Sequence, residues 1–335
     1  MPPIHRTAET AALVRALVGG GTPVAVGELL ALGVSKGALR AAVSAGALVR
    51  VRHGVVLAPG GTTEPAPPFE GHDVDEGLLR TQRLAAARAA LLALADDSVI
   101  SHGSAALLEG LPTYGPAPSD IWVTAPRHGR IVAGTHRRLG VVPSADRVML
   151  DGIRMTGVAR TALDLARRRP LHQQLVALDT AVARVGADEL ARAFARLTWQ
   201  RDLVGVSLAL RHANGLSESP LESISRGRML QARLPVPELQ AWVEGDDGRW
   251  YRVDFLWREH GVVGEADGML KYRTEADLRA EKLREDALRG RGLRVVRWTY
   301  DDAVRRPEVF LGRLQRALAA ADSPLLPSKV SFPGA

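Results

Sequence analysis

Apolar residues recur at helical spacing over residues 8–18, and a shorter run at 24–32 puts Glu28, Leu29 and Leu30 on a second, short helix. Gly33-Val34-Ser35 marks a turn, and the Ser35 hydroxyl is placed to cap a third helix over 36–45. Residues 47–57 then form two short β-runs around His53-Gly54. A stretch rich in Gly, Pro and acid occupies 60–76 and reads as a linker, followed by a helix over 78–94. Residues 97–210 mix helices with short strands such as 121–124. From about 215 the pattern becomes regular. A helix over 219–233 precedes strands at 238–244, 250–257 and 261–267. A long helix at 274–289, a strand at 293–299 and a closing helix to about 320, capped by Asp301 or Asp302, complete the order αβββαβα. No repeat of fixed period is present, and the proline-bearing tail has little periodicity. The expected fold class is mixed α/β. The expected division is 1–60, a linker at 61–76, an α+β middle domain at 77–212, an αβββαβ domain at 215–322 and a tail at 323–335.

The first sixty residues carry the order of a winged helix-turn-helix: helix, short helix, glycine turn, helix, hairpin. In such a unit the third helix enters the major groove by its amino-terminal end, here Ser35, Lys36 and Arg40. Arg50, Arg52 and His53 would lie on the wing, near phosphates. The same helix could belong to any small bundle, and a winged helix can also bind protein. The basic segment 126–138 reads as a charged surface loop or as a second phosphate contact.

The strands at 250–257 and 261–267 are joined by a tight turn near Glu259-His260. Counting outward from it sets Asp254 opposite Glu265. Residues facing each other on antiparallel strands share a face, with Cβ atoms about 5 Å apart. Asp267 lies two positions past Glu265 and points to the same side. Three carboxylates bordered by Lys271 repel one another unless a cation compensates them, and hard oxygen ligands suit Mg²⁺ or Mn²⁺. The plainer reading is a half-exposed polar sheet face, with Asp267-Gly268 serving a turn. Glu222, three residues after Ser219 and two after Pro220, has the spacing of a capping box. The dense charge of 274–289 reads as a solvated face with local pairs, with Lys282 a substitute for a site lysine at most.

Composition narrows the partners. The 335-residue chain is 46% hydrophobic and carries a formal charge of +7, which favours polyanions, although base composition accounts for part of the arginine excess. Aromatics are only 4%, so platforms for stacking single strands are not indicated. There is no cysteine, which removes disulfides and thiolate metal sites. No Walker loop occurs, and the scattered histidines have no helical metal spacing. The amino terminus lacks the apolar core of a signal peptide, and no run approaches the roughly 18 apolar residues that cross a bilayer. A soluble, cytoplasmic protein without membrane contact is expected.

Ser219-Pro-Leu-Glu222, Val-Asp254-Phe, Glu265-Ala-Asp267-Gly and Arg294-Val-Val-Arg297, in the element order of 215–320, resemble the PD-(D/E)XK nuclease superfamily. The nearer likeness is to very-short-patch-repair-type endonucleases and the DUF559 domain. The resemblance implies a restriction-endonuclease-like fold that hydrolyses DNA phosphodiesters with Mg²⁺ or Mn²⁺. Asp254 and Glu265 would be metal ligands, Asp267 a third, and Glu222 would approach from the preceding helix. The superfamily's lysine slot, two residues after the second acid, holds Asp267 here. Lys271 lies four residues further on, where DUF559-like sequences often carry histidine, and would contact the phosphate. In the front part, the winged-helix order, Ser104-Ala-Ala-Leu-Leu-Glu-Gly-Leu-Pro112 and Met155-Thr-Gly-Val-Ala-Arg-Thr-Ala-Leu-Asp164-Leu resemble AbiEi-type antitoxins of type IV toxin–antitoxin systems over about 8–185. That likeness implies a DNA-binding autorepressor with a toxin partner or a homodimer, and a rear domain that no longer cuts.

Overall fold

The computed structural model describes residues 10–12, 14, 23–52, 54–58, 76–94, 96–115, 120–128, 134–197, 202–267 and 275–320. Lys271, His53, residues 60–75 of the acidic linker and the tail at 323–335 lie outside these residues. The chain is a mixed α/β protein of two compact units. One comprises Met1–Leu165 and Arg192–Gln200, the other Ala166–Ala191 and Arg201–Ala335. Residues 166–191, expected with the middle domain, thus group with the rear of the chain, and the front helices and hairpin share a unit with the middle strands.

In the first unit, β1 (Pro23–Ala25) leads into α1 (Val26–Ala31), α2 (Lys36–Ser44), β2 (Val49–Arg52) and β3 (Val55–Leu57). The strands form an antiparallel sheet of order β1-β3-β2. Residues 24 and 25 open the 24–32 run that was expected to hold a short helix. They are instead extended, because Val24 pairs with Val56 and Val26 N–H donates to Gly54 O at 2.8 Å. Val24, Leu29, Leu39, Leu48 and Val56 fill the core beneath. Ser35 caps α2 as read, its Oγ accepting from Ala38 N–H at 3.1 Å.

The unit continues with α3 (Glu76–Leu94), β4 (Val99–Ile100), α4 (His102–Glu109), β5 (Ile121–Ala125), β6 (Thr135–Leu139), β7 (Arg147–Leu150), β8 (Ile153–Thr156) and α5 (Val158–Ala166). Its mixed sheet has the order β6-β5-β4-β8-β7, with Ile100, Val123 and Met155 packed against Ala87 and Ala90 of α3. The arginine and aspartate of the Arg-Thr-Ala-Leu-Asp run are structural. Arg160 is buried, pairs with Asp164 one turn on at 3.1 Å, and lies 3.7 Å from buried Asp146. Arg196 reaches the same Asp146 at 2.6 Å.

The second unit holds most of α6 (Leu171–Ala195), which is interrupted at Gly186, where φ 82° and ψ 159° suit only glycine. It continues with α7 (Leu203–His212), α8 (Pro220–Gln231), β9 (Glu238–Glu244), β10 (Trp250–Trp257), β11 (Val262–Asp267), α9 (Glu275–Gly290), β12 (Arg294–Thr299), α10 (Tyr300–Val304) and α11 (Pro307–Ala319). The sheet order is β12-β11-β10-β9, with β11 and β12 parallel and the rest antiparallel. Phe255, Trp298 and Phe310 stack at 5.2–5.5 Å, and the Trp298 indole N–H donates to Ser225 Oγ of α8 at 2.7 Å. A Cβ on Gly264 would stand 2.7 Å from Trp298, so this strand position has room for no side chain. A second cluster packs Val253, Leu256 and Val263 against Leu288 and Leu293.

Two local expectations are corrected. The tight turn is a short 3-10 helix, Arg258–His260, closed by Gly261 at φ 58°. The single closing helix is two helices. Thr299, not Asp301 or Asp302, is the cap, completed by Asp302 in a capping box, and the break falls at Arg306-Pro307. Proline disfavours the helical region for the residue before it, and Arg306 is accordingly at φ −132°.

Candidate active site

The register of the hairpin brings its acids together. Phe255 pairs with Gly264 and Leu256 with Val263, so the next rung sets Asp254 opposite Glu265. The ladder gives way there to a side-chain bond. Asp254 Oδ2 accepts from Ala266 N–H at 2.8 Å, replacing the carbonyl that a continuing strand would offer. Glu265 is 5% exposed. Burial pushes its carboxyl up to about 8 and the Asp254 charge pushes the same way, while Arg284 and Arg297 oppose them.

Glu222 joins from α8. Ser219 Oγ accepts from Glu222 N–H at 3.2 Å and donates to Glu222 Oε1 at 2.7 Å, so the capping reading describes part of its role. Its other oxygen accepts from Glu218 N–H and from Gln240 Nε2, both at 2.9 Å. Burial raises the Glu222 carboxyl above its usual range, and Asp254 again adds to the rise. One acid on a strand therefore loads two buried acids from different elements.

Arginines answer this charge. Arg284 of α9 donates to Glu265 Oε1 at 2.8 Å, to Glu281 Oε1 at 3.1 Å and to Arg252 O at 2.7 Å. Arg297 of β12, beside Glu265 in the parallel ladder, pairs with Asp267 at 3.6 Å, with Glu285 at 3.3 Å and with Glu281. The two guanidiniums hold Glu281 ionised below its usual range, against the opposing effect of burial. Beside this cluster opens a cleft of about 980 Å³, lined by Asp246, Tyr251, Glu265, Asp267, Glu281 and Arg284 among others.

Among the described residues, no three His, Asp or Glu side chains are gathered to hold a metal ion as they stand. The donor chemistry does fit one. Asp254 and Glu265 offer hard carboxylate oxygens, and a divalent cation would offset the cost of ionising the buried Glu222 and Glu265, whose carboxyls burial raises.

The expected groove-facing residues belong to the first unit. Lys36 and Arg40 are exposed on α2, with Arg40 Nε donating to Lys36 O at 3.4 Å, and Arg50 is exposed on β2. Arg52 contributes its backbone to β2, and its side chain is outside the description. In the basic segment, Arg137 pairs with Asp96 at 2.7 Å, while Arg138 lies 5.1 Å from the Trp122 ring.

Gln240, Arg284 and Glu281 were not singled out for the site. Arg284 was readable in principle. Glu281, Arg284 and Leu288 share one helical face, and Leu288 is fully buried, so that stripe faces the sheet. Gln240 gives no local signal.

These features define a mixed α/β protein with a buried acidic strand-pair site compensated by arginine. No family model matches the chain. It is 31% identical over 188 residues to two Mycobacterium tuberculosis proteins, named Uncharacterized protein MT2308 (strain CDC 1551 / Oshkosh) and Uncharacterized protein Rv2248 (strain H37Rv). The match covers 56% of this chain and 68% of each of them. The chain belongs to their family. The crystal structure of the RV2827C protein from the same species aligns over 71% of this chain and 87% of that one, with 17% identity and a TM-score of 0.38, too low to define the fold.

Proposed function

We propose that this chain is a DNA-binding protein whose rear unit is a metal-dependent endonuclease of the PD-(D/E)XK type. The observation that carries the reading is the buried Glu265 opposite Asp254 on an antiparallel hairpin, with Glu222 delivered beside them from α8. The element order αβββαβ and the motif residues of the DUF559-like resemblance support it. Asp254 and Glu265 would hold Mg²⁺ or Mn²⁺, with Asp267 and Glu222 completing or orienting the shell. When bound, such an ion lowers the pKa of water and stabilises charge on a phosphodiester. Arg284 and Arg297 neutralise and orient the acids until then. Lys271, four residues after Asp267 in the sequence, is the candidate for contact with the phosphate.

In the first unit, the order of α1, α2 and the β2–β3 hairpin supports a winged helix-turn-helix. Lys36 opens α2 and Arg40 lies one turn further along it, both exposed, and Arg50 lies on the wing. Double-stranded DNA is the partner that this arrangement and the net charge of +7 favour.

The experiment is nicking of supercoiled plasmid with Mg²⁺ or Mn²⁺, comparing wild type with Asp254→Asn. Cutting by wild type alone supports the reading, and equal nicking by both sinks it. The Arg284–Glu265 pair and the aspartate in the lysine slot favour a second reading. In it the rear unit is catalytically silent and the chain is an antitoxin-like autorepressor. Sequence-specific, salt-dependent binding to its own promoter with no cleavage in either metal is the outcome that selects it.

A further inference from the structure

We infer that Gln240 is the positioning residue of the acidic site, held in a strained backbone conformation so that its amide fixes Glu222 beside Asp254; this rests on the metal-site reading above. The backbone of β9 carries the first clue. Gln240 has φ 51°, a left-handed value that an L side chain adopts at a cost. Turns and helix ends are the usual places for such a residue, whereas this one interrupts a strand. The β9–β10 ladder pairs Val253 with Ala241 and Phe255 with Leu239, in one register on both sides of the interruption. The rung between them is Gln240 opposite Asp254, and it is the one that fails to pair.

The two residues of that failed rung both turn to the site. Gln240 Nε2 donates to Glu222 Oε2 at 2.9 Å. Asp254 Oδ2 takes the N–H of Ala266, on the strand at its other side, at 2.8 Å. A regular rung would place both side chains by the pleat alone. The Gln240 amide links α8 and β9 at one point, with Glu222 bonded on one oxygen by Ser219 and on the other by Gln240 and Glu218 N–H. The twist at Gln240 coincides with a change of face in the sheet, since Val253 and Leu256, three positions apart, both join the apolar cluster with Ala241 and Val243, while Gln240 itself is half-buried. Strain kept at a residue whose side chain orients an acid is what preorganised sites show. Partners of this kind are worth about 10–100-fold in metal affinity.

The test uses the full chain and Mn²⁺ as the probe, with Mn²⁺ affinity measured by calorimetry and thermal midpoints taken in EDTA. Gln240→Gly removes the amide and relieves the left-handed strain. We expect its midpoint in EDTA to stay the same or rise by a few degrees, while its Mn²⁺ affinity falls about 10–100-fold. Gln240→Leu, which keeps the bulk and the strain, should lose affinity to a similar extent. If wild type binds Mn²⁺ and Gln240→Gly binds it equally well, Gln240 has no positioning role. A Gly variant that loses stability together with affinity also overturns the inference, since the residue is then structural. A wild type that takes up no Mn²⁺ removes the metal-site reading itself, and this inference with it.

Discussion

Replacing Glu265 by glutamine isolates the electrostatic load at the centre of the site. The carboxyl is 5% exposed, and burial with the nearby Asp254 charge moves it from an ordinary 4.5 to about 8. Folded protein therefore keeps a proton there between about pH 4.5 and 8 that the unfolded chain has already released. Stability from this group is fully present below 4.5 and drains away as pH rises through 8. At about 1.4 kcal/mol per pH unit, the loss across that window is on the order of 4–5 kcal/mol. The glutamine side chain keeps the shape of the protonated acid and cannot ionise. Arg284 retains Glu281 and Arg252 O as partners in the variant. The assay is urea unfolding in EDTA at half-unit steps from about pH 5 to 8.5, followed by tryptophan fluorescence, to which Trp257 and Trp298 contribute from this unit. The two proteins should be close at about pH 5, and Glu265→Gln should be the more stable by several kcal/mol at about pH 8.5. Other titrations, including that of Glu222, are common to both proteins and cancel in the difference. A difference that stays constant with pH refutes the claim that Glu265 is held neutral, and a growing advantage for wild type at high pH makes Arg284 the dominant influence on it.

Asp179 is fully buried, and its two carboxylate oxygens accept from Arg226 Nη2 at 2.6 and 2.8 Å, with Asn214 N–H donating to the first of them. Asp179→Ala strands the arginine and should cost about 3–5 kcal/mol in urea unfolding, whereas a loss below about 1 kcal/mol would show that Arg226 finds another partner. A Cβ on Gly227 would stand 2.3 Å from the Cα of His172, so Gly227→Ala should abolish soluble expression or lower the thermal midpoint by about 10 °C or more, the effect of severe overpacking. Lys36→Ala with Arg40→Ala should weaken binding to DNA and lower the salt slope by about two, read by fluorescence anisotropy from about 50 to 300 mM salt. An unchanged slope removes α2 from the interface.

Local physics carried much of the fold. The strands at 238–244 and 250–257 lie where their apolar and aromatic content put them, because such side chains fit a pleated, packed sheet. Ser35 and Ser219 cap their helices because a hydroxyl at that position meets unpaired N–H groups whatever the rest of the chain does. The Asp254–Glu265 juxtaposition was legible for the same reason: a short turn sets a hairpin's register, and register sets which side chains meet. The strand at Pro23–Ala25 was not, since its pairing partner lies thirty or more residues away, at Val55–Leu57.

The tertiary structure alone decided what the acids meet. Arg284 comes from a helix nineteen positions beyond Glu265, Arg297 from a parallel strand, and Glu222 from a helix that precedes the whole sheet. Gln240 differs from other polar strand residues in its left-handed backbone angle and in the bond its amide gives Glu222, and neither shows in the local sequence. Hydrophobic periodicity records which side of an element faces inward, a property of a few consecutive residues. Charge compensation is settled by distances of a few ångströms between residues far apart in the chain, and those distances exist only once the layers have packed.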